Sequence, residues 1–146
     1  MTAVTVPGAG HRLGRLAVLG LLATGAAMVV TALLAALARA VGVTLEVPEG
    51  GETIPVSGVA VVTGFFSVIG VLIAAALLRW ASRPAHVFVR TALALTLVSL
   101  VPPFLVGASA ATSLALVVLH LAAAAVVVPA LARGLSRPSP GRPSPA

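Results

Sequence analysis

His120 offers the most chemistry for its surroundings. It stands inside a long apolar run, eight residues after Thr112 and eight before Val128, and no other ionisable side chain lies at that depth anywhere in the chain. A neutral imidazole there can relay protons, ligate a metal or hydrogen-bond a polar headgroup. Ionisable groups at membrane depth usually face the bundle interior and mark functional positions. The competing reading, and the favoured one, is structural. One hydrogen bond from the ring to a neighbouring helix would lock the packing, with Thr24, Thr31, Thr63, Ser67, Thr96 and Ser99 as candidate partners.

Two further groups stand out. Arg79, Arg83, His86 and Arg90 crowd into twelve residues, and His86 and Arg90, four apart, share one helix face. They form a basic collar of the kind that attracts anionic lipid headgroups. The same charges also serve simply to hold a loop on one side of a membrane, which is the favoured reading. Trp80, the only tryptophan, sits beside them as an interfacial anchor. The three acids, Glu46, Glu49 and Glu52, share one loop. With loop carbonyls they could take a hard cation, but their spacing follows no cation-binding loop, and a solvated acidic loop is the favoured reading.

Much chemistry is excluded. The chain has no Cys, Asp, Asn, Gln, Lys or Tyr, so it has neither a disulfide nor a thiolate nucleophile. His11, His86 and His120 fall in different parts of the chain, and no metal site or cofactor is expected. Phosphate-loop, nucleophile-elbow, HExxH and EF-hand patterns are missing, and the chain reads as no enzyme. The net charge of +6 does not indicate nucleic acid, because the arginines sit at the ends of apolar runs rather than on a basic face with stacking aromatics. Small multidrug exporters also place four helices in a chain of this size. They depend on a glutamate in the first helix, and the first apolar run here has no acid.

The elements that must position these residues are apolar helices. The 146 residues are 60% hydrophobic and 8% charged, with a mean hydropathy of +1.18. About 25% charge is usual for a soluble domain, so this chain cannot cover a water-facing surface. Four apolar runs, at about 16–38, 56–78, 87–106 and 112–132, reach the ~20 residues that a helix needs to cross ~30 Å of hydrocarbon. Apolar residues fill every face, so no helical stripe is expected. Gly20, Gly25, Gly64 and Gly70, with Ala32, Ala36 and Ala40, permit close helix approach. Pro102 and Pro103 should end or bend the third helix, freeing carbonyls that need other partners.

Charge sets the orientation. Eight arginines (Arg12, Arg15, Arg79, Arg83, Arg90, Arg133, Arg137 and Arg142) fall on one side of a four-helix topology, and Arg39 alone falls on the other. Cationic segments stay in the cytoplasm, so both termini are expected there. His11, Arg12 and Arg15 before an apolar run also suggest a signal peptide with Ala38-Arg39-Ala40 as its cleavage site. The run is longer than the ~7–15 residues of such a region, so a retained helix is expected. Residues 1–12 read as a cytoplasmic tail. The loop at 41–54, on the outer side, reads as a short β-hairpin turning at Pro48-Glu49-Gly50-Gly51, which must rest on the helices to be stable. Residues 135–146, with Arg-Pro-Ser-Pro twice, read as a disordered tail.

The segment Leu116-Val117-Val118-Leu119-His120-Leu121-Ala122, followed by Val126-Val127-Val128-Pro129-Ala130-Leu131-Ala132-Arg133, resembles the last helix of a family of small actinobacterial membrane proteins known only as a domain of unknown function. Ala38-Arg39-Ala40-Val41-Gly42-Val43 is similar to that family's exit from the first helix, and the likeness extends over about 13–134. It implies a four-helix plasma-membrane protein with no established activity. The expected fold is thus an all-α integral membrane protein, a four-helix transmembrane bundle over 13–134. The expected function is non-enzymatic, through contacts with membrane lipids or a partner membrane protein. The alternative is a small transporter or channel subunit, a homo-oligomer with His120 lining the path.

Overall fold

A computed structural model describes residues 8–47, 51–105 and 107–136. The chain forms helix α1 (Gly8–Ala40), a hairpin of β1 (Glu46–Val47) and β2 (Glu52–Thr53), then α2 (Val56–Trp80), α3 (Pro84–Ser99), a single turn α4 (Pro102–Leu105) and α5 (Ala110–Ser136). Four stretches, Gly10–Ala40, Val56–Trp80, Pro84–Leu105 and Ala110–Ser136, are long and apolar enough to cross a membrane. Large side chains such as Leu22, Phe65 and Phe66 are exposed on the outside. A water-soluble protein would not leave so much apolar surface uncovered.

The ends of the helices differ from expectation in places. The first helix starts at Gly8, immediately after Pro7, because nothing beyond that proline interrupts it; residues 8–12 of the expected tail are therefore helical. The last helix continues through Pro129 to Ser136, and the rest of the expected tail lies outside the described residues. The third helix closes at Ser99, ahead of Pro102. Of the carbonyls that the two prolines leave without a donor, that of Val98 accepts from the Val101 N–H at 3.2 Å; the Ser113 hydroxyl donates to the Pro103 carbonyl at 2.8 Å and ties the turn to the last helix. Ser109 caps α5, its hydroxyl accepting from the Thr112 N–H at 3.1 Å.

At the other end of α1 the chain turns on Gly42, at φ +92°. The Val43 N–H reaches the Ala38 carbonyl at 2.9 Å and the Gly42 N–H reaches that of Arg39 at 3.0 Å, the paired bonds of a Schellman stop with glycine at the left-handed position. The hairpin follows, with Glu46 opposite Thr53 and Val47 opposite Glu52. It rests on the helices through Leu45, which is fully buried despite a φ of +53°. Leu45 packs with Ala35, Val59 and Leu119. Glu46 and Glu52 are exposed; Glu49 lies outside the described residues.

The helices alternate in direction. Gly134 of α5 lies against Leu16 near the start of α1, and Gly20 lies between Val71 of α2 and Leu131 of α5. One apolar cluster at that end includes Leu16, Ala74, Phe88, Val127, Leu131 and Leu135. The hairpin cluster sits at the opposite end. Helix α1 packs along α2 and α5, and α3 packs against the same two helices from the other side. Buried helix positions are mainly small, among them Ala23, Ala27, Ala35 and Ala74, with Gly20 and Gly64 at the α1–α2 contact. In lipid no hydrophobic force draws helices together, so close packing of small residues must do it. Gly25 faces outward and takes no part.

Candidate functional site

Of the six hydroxyls expected beside His120, those of Thr63, Ser67, Thr96 and Ser99 line one cavity with it, while Thr31 lies outside that lining and Thr24 Oγ1 is buried with no hydrogen-bond partner among the described residues. Leu131 contacts Gly20. Eleven residues back along α5 from Leu131 is His120, and eleven residues on from Gly20 along α1 is Thr31. Antiparallel helices rise equally, so His120 and Thr31 share a level. Thr31 Oγ1 lies 2.9 Å from the Ala27 carbonyl and 3.1 Å from Thr63 Oγ1, joining α1 to α2 by a hydroxyl–hydroxyl hydrogen bond. Thr31 and Thr63 thus satisfy each other rather than His120. The interhelical bond expected from the imidazole is not formed: among the described residues the ring has no hydrogen-bond partner.

The half-buried ring instead lines a cavity of about 410 Å³ bounded by α2, α3 and α5. Its mouth lies between α2 and α3, where the lining residues Val62, Phe66, Leu95 and Ser99 are exposed. Its floor is α5, whose lining residues are all at least half-buried. At their shared connection α2 and α3 are held together by packing of Leu77, Leu78, Ala85 and Phe88. On the floor of the slot α5 presents Ala123 and Ala124, whose side chains are too short to fill it.

The slot is long. Its α2 lining runs from Gly58 to Ile73, fifteen helical steps or about 22 Å along the axis. Both ends are aliphatic or aromatic: Ile54 and Val59 at one, Ile73, Phe88 and Val128 at the other. Between them Ser67, Thr91, Thr96 and His120 face the space. Among the described residues none of these four side chains donates or accepts a hydrogen bond within the protein. Thr63, Ser67, Thr96 and Ser99 were legible as polar residues at this depth. Thr91 was missed, although it lies a turn before Leu95 on the same face; the run Ala122–Ala125 was the signal for the shallow floor.

The basic collar gathers at the elbow between α2 and α3. Arg79 ends α2, Arg83 is the N-cap of α3, and His86 and Arg90 follow on α3. All four are exposed, as is Trp80, at 79%. Arg12, Arg15 and Arg133 belong to the same end of the bundle, where α1 starts and α5 finishes. Glu46 and Glu52 lie at the opposite end, in the hairpin with Arg39 nearby at the close of α1. The described residues contain no group of three His or carboxylate side chains placed to hold a metal ion.

A family model matches residues 11–137, that of a family of unknown function, DUF6069, and the chain belongs to that family. The match bears out the resemblance to a domain of unknown function; it does not bear on the source organism. No curated protein matches the chain, and no solved structure does.

Proposed function

We propose that this DUF6069 protein is a non-enzymatic, multi-pass protein of the plasma membrane that holds one chain-like apolar ligand, drawn sideways from the bilayer, in the slot between α2 and α3. The slot itself carries the proposal. It opens at the bundle's outer surface, it is elongated along α2, and its mid-section presents polar groups with no hydrogen-bond partner among the described residues. In hydrocarbon such groups have no water to turn to, and each costs free energy until it finds a partner. A ligand with a hydroxyl or carbonyl on its chain would supply that partner at His120 and Thr96. Among the described residues no other titratable side chain lines the slot, which supports binding over catalysis.

The transporter reading keeps one observation in its favour, since His120 does line a cavity. A conducting path needs wettable groups along its whole length, whereas both ends of this slot are apolar and its mouth faces sideways. Holding a ligand therefore fits better than passing one. The orientation with both termini in the cytoplasm is part of the proposal. Its support is the charge asymmetry, with Arg12, Arg15, Arg79, Arg83, Arg90 and Arg133 at one end against Arg39 at the other.

Photolabelling tests the reading. A diazirine-bearing 1-dodecanol should label α3 between Thr91 and Ser99 and α5 between Leu116 and Val128. Ala124→Leu, which fills the floor, should abolish that labelling. Label spread evenly over the outer faces, including Leu21, Leu22 and Val29 of α1, would mean that the slot holds nothing in particular.

A further inference from the structure

We propose that the elbow joining α2 to α3 binds the phosphate headgroup of an anionic phospholipid, independently of whatever occupies the slot. His86 and Arg90, four residues apart, line one face of α3, and Arg83 stands at its N-cap. The opposite face, with Ala85, Phe88, Val89 and Ala92, packs into the bundle. The basic line therefore faces out into lipid. It begins at the helix start and descends to Arg90, six residues after Pro84 or about 9 Å along the axis, within the span Pro84–Leu105.

An arginine at that depth requires a counter-charge. Among the described residues none is available at this end, since Glu46 and Glu52 belong to the hairpin at the other end. Arg79 adds a further cation from the last turn of α2. The start of α3 contributes donors as well: its N-cap, Arg83, provides no side-chain acceptor, and no acid lies in the first turn. Pro84 has no N–H and the Val87 N–H bonds the Arg83 carbonyl, so the N–H groups of Ala85 and His86 remain free of an intrahelical partner at the positive end of the helix dipole. Guanidinium groups bind phosphate through paired, planar hydrogen bonds. A lipid phosphate lies at the depth these side chains reach by extending toward the surface.

Trp80 makes the site directly readable, because it is the only tryptophan and stands between Arg79 and Arg83 in sequence. The full chain is reconstituted in phosphatidylcholine vesicles containing either brominated phosphatidylglycerol or brominated phosphatidylcholine, and Trp80 quenching is measured. Brominated phosphatidylglycerol should quench at about tenfold lower mole fraction. Arg83→Gln and Arg90→Gln should each lower that preference about fivefold, and Arg83→Lys should recover only part of it. Arg133→Gln, at the same end but on α5, should leave it within about twofold. Equal quenching by the two lipids in the wild type would overturn the proposal. So would an equal loss from Arg133→Gln, which would indicate a diffuse field. Loss of the preference in millimolar inorganic phosphate at constant ionic strength would also overturn it, in favour of a free-anion site.

Discussion

Replacing Gly20 by alanine probes the contact that sets the depth of the whole polar level. A Cβ placed there would lie 2.5 Å from Val71 Cγ2, 2.9 Å from Val71 Cγ1 and 3.3 Å from Leu131 Cδ2. Carbons in contact sit about 3.5–4.0 Å apart, so the new methyl overlaps Val71 by about 1 Å. Valine holds one preferred rotamer in a helix, and turning one branch away brings the other in. Either α1 and α2 separate or Val71 leaves its rotamer, and overpacking of this kind costs about 1–3 kcal/mol. Alanine offsets part of that by up to about 1 kcal/mol of helix propensity. Gly25→Ala has the same propensity gain and meets nothing within 4 Å. The gap between the two variants therefore isolates the overlap, and Gly20→Ala should be the less stable by about 1–3 kcal/mol. Gly64→Ala should fall between them, since its nearest neighbour, Met28 Sδ at 2.8 Å, belongs to an unbranched chain that can turn aside. Unfolding midpoints in mixed dodecylmaltoside–SDS micelles measure all three, and adding Val71→Ala to Gly20→Ala should restore most of the loss. Equal midpoints for Gly20→Ala and Gly25→Ala would refute the close approach of α1 and α2. The register that sets His120 level with Thr31 would lose its basis as well.

Thr31→Val keeps the side-chain shape and removes the hydroxyl bridge to Thr63, so the same unfolding assay should register a loss of about 0.5–1.5 kcal/mol; an unchanged midpoint would show that the bridge contributes nothing. Gly42→Ala forces a side chain into a left-handed turn at φ +92° and should cost about 1–2 kcal/mol, with wild-type stability arguing against the Schellman stop. Ala124→Leu should empty the slot of alkyl label while leaving the unfolding midpoint at or above that of the wild type, because the added side chain enters existing space; a large destabilisation would mean that the floor is already packed. Orientation is accessible because the chain has no cysteine of its own: in intact cells an impermeant maleimide should label Thr44→Cys but reach Ser82→Cys only after permeabilisation, and the reverse pattern would invert the proposed topology.

The spans were readable because their length and apolarity are properties of the segments alone. The hairpin was readable too, since Gly51 and the alternation around it are local signals, and even its need for support is met locally by Leu45. The helix starts were read less well. At the N-terminus glycine and proline suggested a tail over 1–12, yet the helix already begins at Gly8, and arginine is a good helix former. The fate of His120 could not be read at all. Its type and depth are in the sequence, but its partner depends on how each neighbouring helix is rotated. Thr31 and Thr63 turn toward each other, and α5 turns His120 with Ala123 and Ala124 toward the cavity that it shares with α2 and α3.

That outcome has a consequence for the molecule as a whole. Among the described residues the imidazole and several slot hydroxyls lack partners, as does the buried Thr24 hydroxyl of α1, and the arginines at the α2–α3 elbow lack acids. Thr24 lies in the bundle's core, whereas the slot and the elbow open at its outer surface. A chain that satisfied its polar groups internally would gain stability and present only hydrocarbon to the membrane. This one leaves hydrogen-bonding capacity in the slot between α2 and α3 and positive charge at the elbow that joins them. The complementary groups, a polar atom on a hydrocarbon chain and an anionic headgroup, both belong to lipids.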